Sequence, residues 1–142
     1  MIYLDTGCLI KHYYPEPDSA LVAALVQGKP IWHTALHELE FTNALGLKAF
    51  NNSATAGQVR AARGLVTADL KAGVLVSYDG DWRSVFSEAT RLAEQFTPSI
   101  GCRSLDILHC AAAKVLATPE FVTTDVRQRK LAVAMGLNAA VF

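Results

Sequence analysis

The sequence predicts an α/β fold: a central, mostly parallel sheet with helices on both faces. Two observations predict it. Short apolar, strand-like runs alternate with longer helical ones along the whole chain, and apolar strands separated by helices belong in a parallel sheet covered on both sides. The length of 142 residues, 51% of them hydrophobic, suits one domain over residues 1–142 with a proper core and is too short for two.

The elements follow in order. The run MIYLD (1–5) reads as a buried strand and TGCLIKHYY (6–14) opens a short helix, closed by the breaker PEPDS (15–19). DSALVAALVQG (18–28) is a helix with Asp18 or Ser19 as its cap and Gly28 as its stop. PIWHT (30–34) is a strand, ALHELEFTNALGLKAFNN (35–52) a helix, and SATAGQVRAARGLVTADLKAG (53–73) another. VLVSYD (74–79) is strand-like, DWRSVFSEATRLAEQF (81–96) helical, and TPSIGCR (97–103) a loop. SLDILHCAAAKVLA (104–117) is a helix, EFVTTD (120–125) a strand, VRQRKLAVAMG (126–136) a helix and NAAVF (138–142) a last strand.

Composition narrows the function classes. Thirteen basic residues balance thirteen acidic ones, which leaves no overall electrostatic footprint of a nucleic-acid binder. Local clusters such as DVRQRK (125–130), or bound metal ions, can still attract phosphate. No apolar run approaches the length that crosses a membrane. The N-terminal stretch MIYLDTGCLIKHYY carries Asp5 and no basic region ahead of its apolar residues, so it does not read as a signal peptide. Cys8, Cys102 and Cys110 form no CxxC pair and fit reduced thiols, and a cytoplasmic location is expected.

Charge placement is the informative feature. Asp5 follows MIYL and Asp125 follows FVTT, so two carboxylates stand where strands hand over to helices, the end of an open α/β sheet at which ligands gather. Asp106 lies in the first turn of its helix. Leu36, Leu39, Asn43 and Leu47 are spaced as a helical stripe, and Glu40 falls within it, which points its carboxylate toward the core or a cleft. Taken singly, the aspartates suit helix caps or dipole partners, uses worth roughly 0.5–2 kcal/mol. Together, four carboxylates in one cleft need a cation. Oxygen ligands select hard ions, Mg²⁺ or Mn²⁺, and such ions suit phosphodiester hydrolysis.

Four segments, YLDTGCLIKHYYPEP (3–17), HELEFTNAL (37–45), RSLDILHCAAA (103–113) and FVTTDVRQRKLAVAMGL (121–137), resemble in order and spacing the PIN domains, and among them the VapC-type toxin ribonucleases. The resemblance covers nearly the whole chain. It implies a PIN-like three-layer sandwich and a Mg²⁺- or Mn²⁺-dependent endoribonuclease, the toxin of a type II toxin–antitoxin pair. By it, Asp5, Glu40, Asp106 and Asp125 occupy the acidic metal-binding, catalytic positions, and Thr123 the supporting hydroxyl position. Glu40 is preferred to Glu38 because FTNAL follows it as in the family and because Glu38 falls off the stripe. Gly7 stands where the family often has serine, so a hydroxyl contribution at that position is absent. The resemblance also implies an RNA substrate, an antitoxin covering the cleft and a homodimer.

Lys11, Arg103 and Arg127 lie near the acids in sequence and are candidates for meeting substrate phosphates or balancing the carboxylates. His33 and His37 are spaced i, i+4, but without HExxH or a third ligand they do not make a zinc site. His12, Tyr13 and Tyr14 suit packing better than base stacking, and Trp32 and Trp82 suit the core or an interface. A non-catalytic PIN scaffold that binds RNA or protein is the alternative. Receiver and haloacid-dehalogenase readings fail, because Thr6 and Gly7 follow Asp5 and no lysine follows the final strand.

Overall fold

Four short strands and seven helices alternate along residues 1–140, the part of the chain that the computed structural model describes. They are β1 (Tyr3–Leu4), α1 (Thr6–Tyr13), α2 (Ser19–Val26), β2 (Ile31–His33), α3 (Ala35–Phe50), α4 (Ala56–Ala72), β3 (Leu75–Ser77), α5 (Trp82–Ile100), α6 (Ser104–Val115), β4 (Phe121–Val122) and α7 (Val126–Ala134). The strands pair in parallel, as the α/β reading expects. Two compact units divide the chain, one made of Met1–Asp5 with the residues from Asp79 onward, the other of Thr6–Tyr78.

In the first unit β1 pairs with β4, Tyr3 beside Phe121 and Leu4 beside Val122. The backbone N–H of Asp5 donates to the Val122 carbonyl at 2.9 Å, which carries the pairing to the residue that bears the first carboxylate. Tyr3 stacks on Phe121 with ring centroids 5.8 Å apart, and its hydroxyl meets His109 Nδ1 at 2.9 Å. The burial of this hydroxyl is thereby matched by a partner. From α6 the small residues Ala111, Ala112 and Ala113 pack with Cys110 into the same core, and α5 adds Val85, Ala89 and Leu92 at helical spacing. Ala139 bridges Phe121 where a last strand is expected over 138–142; residues 141 and 142 lie outside the described residues.

One boundary differs from the sequence expectation. Instead of giving way to a loop at Thr97, α5 continues through Pro98 to Ile100. Proline removes a single N–H there, and the turn is closed by Gly101, whose φ of 70° provides the left-handed C-cap and whose N–H donates to the Thr97 carbonyl at 2.8 Å.

In the second unit β2 pairs with β3, Ile31 beside Leu75 and His33 beside Ser77. Thr34 caps α3: its hydroxyl accepts from His37 N–H at 3.3 Å while its own N–H donates to His37 Nδ1 at 3.0 Å. His33 and His37 therefore do not share a helix face, since His33 belongs to β2 and His37 to the α3 capping box. The Tyr13 hydroxyl ties α1 to α4 through Asp69 Oδ2 at 2.7 Å. Asp18 precedes α2 but does not cap it with its side chain; its φ is 70°, and the Ser19 hydroxyl instead accepts from the Glu16 N–H at 2.9 Å.

The stripe expected on α3 is overturned. Its buried residues are Leu36, His37, Phe41 and Leu45, whereas Leu39, Leu47 and Phe50 are 66%, 51% and 82% exposed. Positions 36, 39, 43 and 47 describe one helical line and 36, 37, 41 and 45 another, and packing on α1 and α4 selects the second. Glu40 lies at the border of the buried face and is half-buried. Among the described residues, no helix is long and apolar enough to cross a membrane.

Glu88 of α5 is held between Arg91 of the same helix and Lys114 of α6, at 2.7 and 2.8 Å. The Arg91 guanidinium, followed by the Lys114 ammonium, lowers its carboxyl to about 2 from an ordinary value of 4.5. A depressed folded-state value contributes stability that is complete above the unfolded value and is lost as pH falls through the folded one. Because both cations are half exposed, solvent screening limits the whole arrangement to about 0.5–1 kcal/mol. Glu88→Gln is expected to destabilise the fold by that amount at pH 7 in urea melts, and the difference from wild type should close between pH 4.5 and pH 2.

Candidate functional site

The β1–β4 pair places Asp5 and Thr123 at neighbouring strand ends. Thr123, which is fully buried, donates its hydroxyl to Asp5 Oδ2 at 2.6 Å and accepts the backbone N–H of Asp125 at 3.0 Å. Asp5 is only 7% exposed, so its carboxylate depends on such donors to offset lost hydration.

Asp125 caps α7, its Oδ1 accepting the Gln128 N–H at 2.9 Å. Its other oxygen faces Arg103 Nη2 at 3.5 Å. Asp106, in the first turn of α6, accepts from Arg103 Nε through Oδ2 at 2.8 Å. One guanidinium thus spans carboxylates from two segments. Gln128, buried between α6 and α7, donates its side-chain amide to the Asp106 carbonyl at 3.2 Å, and this fixes the turn that carries Asp106 against the cap of α7. Three of the four expected acids, Asp5, Asp106 and Asp125, therefore belong to the first unit and are connected through Thr123 and Arg103.

The fourth, Glu40, belongs to the second unit. The Thr6 hydroxyl donates to Glu40 Oε2 at 2.7 Å, and Thr6 is the residue immediately after Asp5 in the chain. Glu38 is exposed and lines a cavity of about 330 Å³ with His33, Arg63 and Ser77. Lys11 is engaged with Glu16 at 3.5 Å, whereas the exposed Arg127 makes no ion pair among the described residues.

Two thiols register the local field. Burial, followed by the charge of Asp106, raises Cys102, with Asp125 adding to the rise and Arg127 opposing it. Burial likewise raises Cys110, reinforced by Cys102, Asp106 and Asp5. Both cysteines stay protonated at neutral pH, which removes them as nucleophiles.

Among the described residues, no three His, Cys, Asp or Glu side chains gather closely enough to hold a metal ion. The donor chemistry does fit a hard divalent ion: every candidate ligand is a carboxylate oxygen, and the Asp106 and Asp125 carboxylates already share one cationic group. Arg103 balances carboxylates as the sequence suggests, whereas two contributors carry no such signal: the Thr6 hydroxyl on Glu40 and the Gln128 amide. Gly7 offers no hydroxyl, and the neighbouring Thr6 places one on Glu40. Gln128 carries no local signal, because its role exists only once α6 and α7 are packed.

Thr123→Val keeps the shape of the side chain and removes the donor to Asp5. It should lower unfolding free energy by about 1–3 kcal/mol, measured in urea melts. Combined with Asp5→Asn, the cost should fall below the sum of the single changes, because the two atoms form one bond.

A PIN domain family model matches residues 2–134. Solved structures share the fold. FitAcB from Neisseria gonorrhoeae is 17% identical with a TM-score of 0.62, covering 99% of this chain and 97% of that one. VapBC2 from Rickettsia felis, bound to a DNA fragment from their promoter, is 16% identical with a TM-score of 0.65, covering 99% and 98%. FitAB bound to an IR36 DNA fragment is 18% identical with a TM-score of 0.65, covering 99% and 94%. No curated protein matches the sequence.

Proposed function

The chain belongs to the PIN domain family, and we propose that it is the toxin of a type II toxin–antitoxin pair, a Mg²⁺- or Mn²⁺-dependent endoribonuclease that hydrolyses RNA phosphodiester bonds. The observation that carries this reading is the joining of Asp5, Asp106 and Asp125, from three separate segments, through Thr123 and a shared cationic group. Asp106 and Asp125 share the Arg103 guanidinium, and Asp5 is tied to the same corner by the Thr123 hydroxyl.

In this reading Asp5, Asp106 and Asp125 hold the metal, with Glu40 as the fourth carboxylate. A bound divalent ion supplies an activated water and neutralises charge on the phosphate. The chain's own groups prepare the site. Thr123 holds one oxygen of Asp5 in a fixed direction, Thr6 does the same for Glu40, and the α7 cap uses Asp125 Oδ1 so that Oδ2 remains directed at the cation. Arg127, exposed and without an ion pair among the described residues, suits a phosphate of the RNA backbone, as do Arg103 and Lys11 once released from their carboxylate partners. VapBC and FitAB among the fold neighbours favour an antitoxin partner, and the family resemblance adds a homodimer and a cytoplasmic location.

A non-catalytic PIN scaffold is favoured by one observation: Arg103 already balances two of the acids, and no three of the potential ligands are gathered as they stand. Cleavage separates the readings. Purified protein should cut a mixed RNA pool in Mg²⁺ or Mn²⁺ and not in chelator. Asp5→Asn and Asp106→Asn, checked for folding by circular dichroism, should lower the rate by about 100-fold or more. Full cleavage by those variants contradicts the assignment; folded wild type that neither cuts nor binds divalent ions favours the scaffold.

A further inference from the structure

We propose that Arg103 is an internal counter-ion of the acidic corner, which a divalent cation must displace to reach Asp106 and Asp125. The inference rests on the metal-site reading above and names what controls occupancy of that site.

The oxygens involved carry the argument. Asp125 divides its carboxylate, Oδ1 capping α7 and Oδ2 facing Arg103. Asp106 also presents Oδ2 to Arg103. The lone pairs that Arg103 occupies are therefore those a metal shared by the two aspartates would take. A guanidinium and a divalent ion cannot both occupy them, because like charges repel and the atoms would overlap.

The position of Arg103 makes displacement inexpensive. It is the residue just before α6, with extended backbone, and its side chain makes no capping bond to that helix. Its side chain is 66% exposed, and exposed ion pairs contribute only about 0–1 kcal/mol. The guanidinium can turn toward solvent without disturbing the Thr123, Gln128 or cap bonds that hold the acids. Arg103 thereby sets a threshold: at low metal it neutralises the acids, and at higher metal it is released, still attached beside the site.

The test is Mn²⁺ titration of the full chain, with free Mn²⁺ read by electron paramagnetic resonance, for wild type, Arg103→Gln, Arg103→Lys and Asp106→Asn. Thermal melts check that each is folded. Arg103→Gln removes the competing charge and should bind Mn²⁺ about 2-fold to 5-fold more tightly than wild type, with Arg103→Lys between the two. In ¹⁵N–¹H spectra of the wild type, the Arg103 Nε–H signal, assigned by its absence in Arg103→Gln, should lose its hydrogen-bonded shift on saturation with Mg²⁺. Unchanged or weaker Mn²⁺ binding by Arg103→Gln, together with an Nε–H signal insensitive to Mg²⁺, overturns the proposal while binding lost in Asp106→Asn still supports the metal site. Absence of Mn²⁺ binding by wild type and Arg103→Gln, or binding that survives Asp106→Asn, overturns both.

Discussion

The Thr123 hydroxyl donates to Asp5 and accepts from the Asp125 N–H, and the acidic corner depends on that bridge. Carboxylates packed together repel, and each loses hydration as it is buried, so the arrangement persists only where fixed donors replace water. Parallel pairing of β1 with β4 supplies the first condition by bringing Asp5 alongside Thr123. The α7 cap supplies the second by turning Asp125 back toward the same place. Arg103 supplies the third as an exposed positive charge paired with Asp106 and Asp125. Removing any one takes a partner from one of these carboxylates, which is why structural and proposed functional roles coincide in these residues.

The sharing of oxygens explains how one aspartate can do two things. In Asp125 one oxygen stabilises a helix and the other faces the shared cation. Gln128 contributes twice, its backbone N–H completing the cap and its amide holding the Asp106 carbonyl, so α6 and α7 are aligned by the same residue that orients the acids. A site built this way is pre-organised by ordinary helix-capping bonds rather than by strained backbone.

Much of this was legible in the sequence because the signals are local. Strand and helix alternation follows from apolar runs and breakers, and the aspartates after MIYL and FVTT were recognisable as strand-end residues before any packing was known. The readings that differed depended on tertiary contacts. The α3 pattern is compatible with two apolar lines, and the sequence alone gives no reason to prefer the one through Phe41 and Leu45 over the one through Leu39 and Leu47. Pro98 reads as a helix stop, yet the glycine three residues later sets the true end. Asp18 has the right residue type for a cap and the wrong backbone conformation. The double pairing of Arg103 joins residues 22 apart in sequence, Arg103 and Asp125, and no window-based pattern contains both.

The most direct measurement is an anomalous difference map from crystals of the full chain grown with Mn²⁺. The account predicts a Mn²⁺ peak bound by the Oδ2 atoms of Asp106 and Asp125, with the Arg103 guanidinium turned away from both and Thr123 still bonded to Asp5. A map with no peak at these aspartates under saturating Mn²⁺, and Arg103 still on both carboxylates, would contradict it.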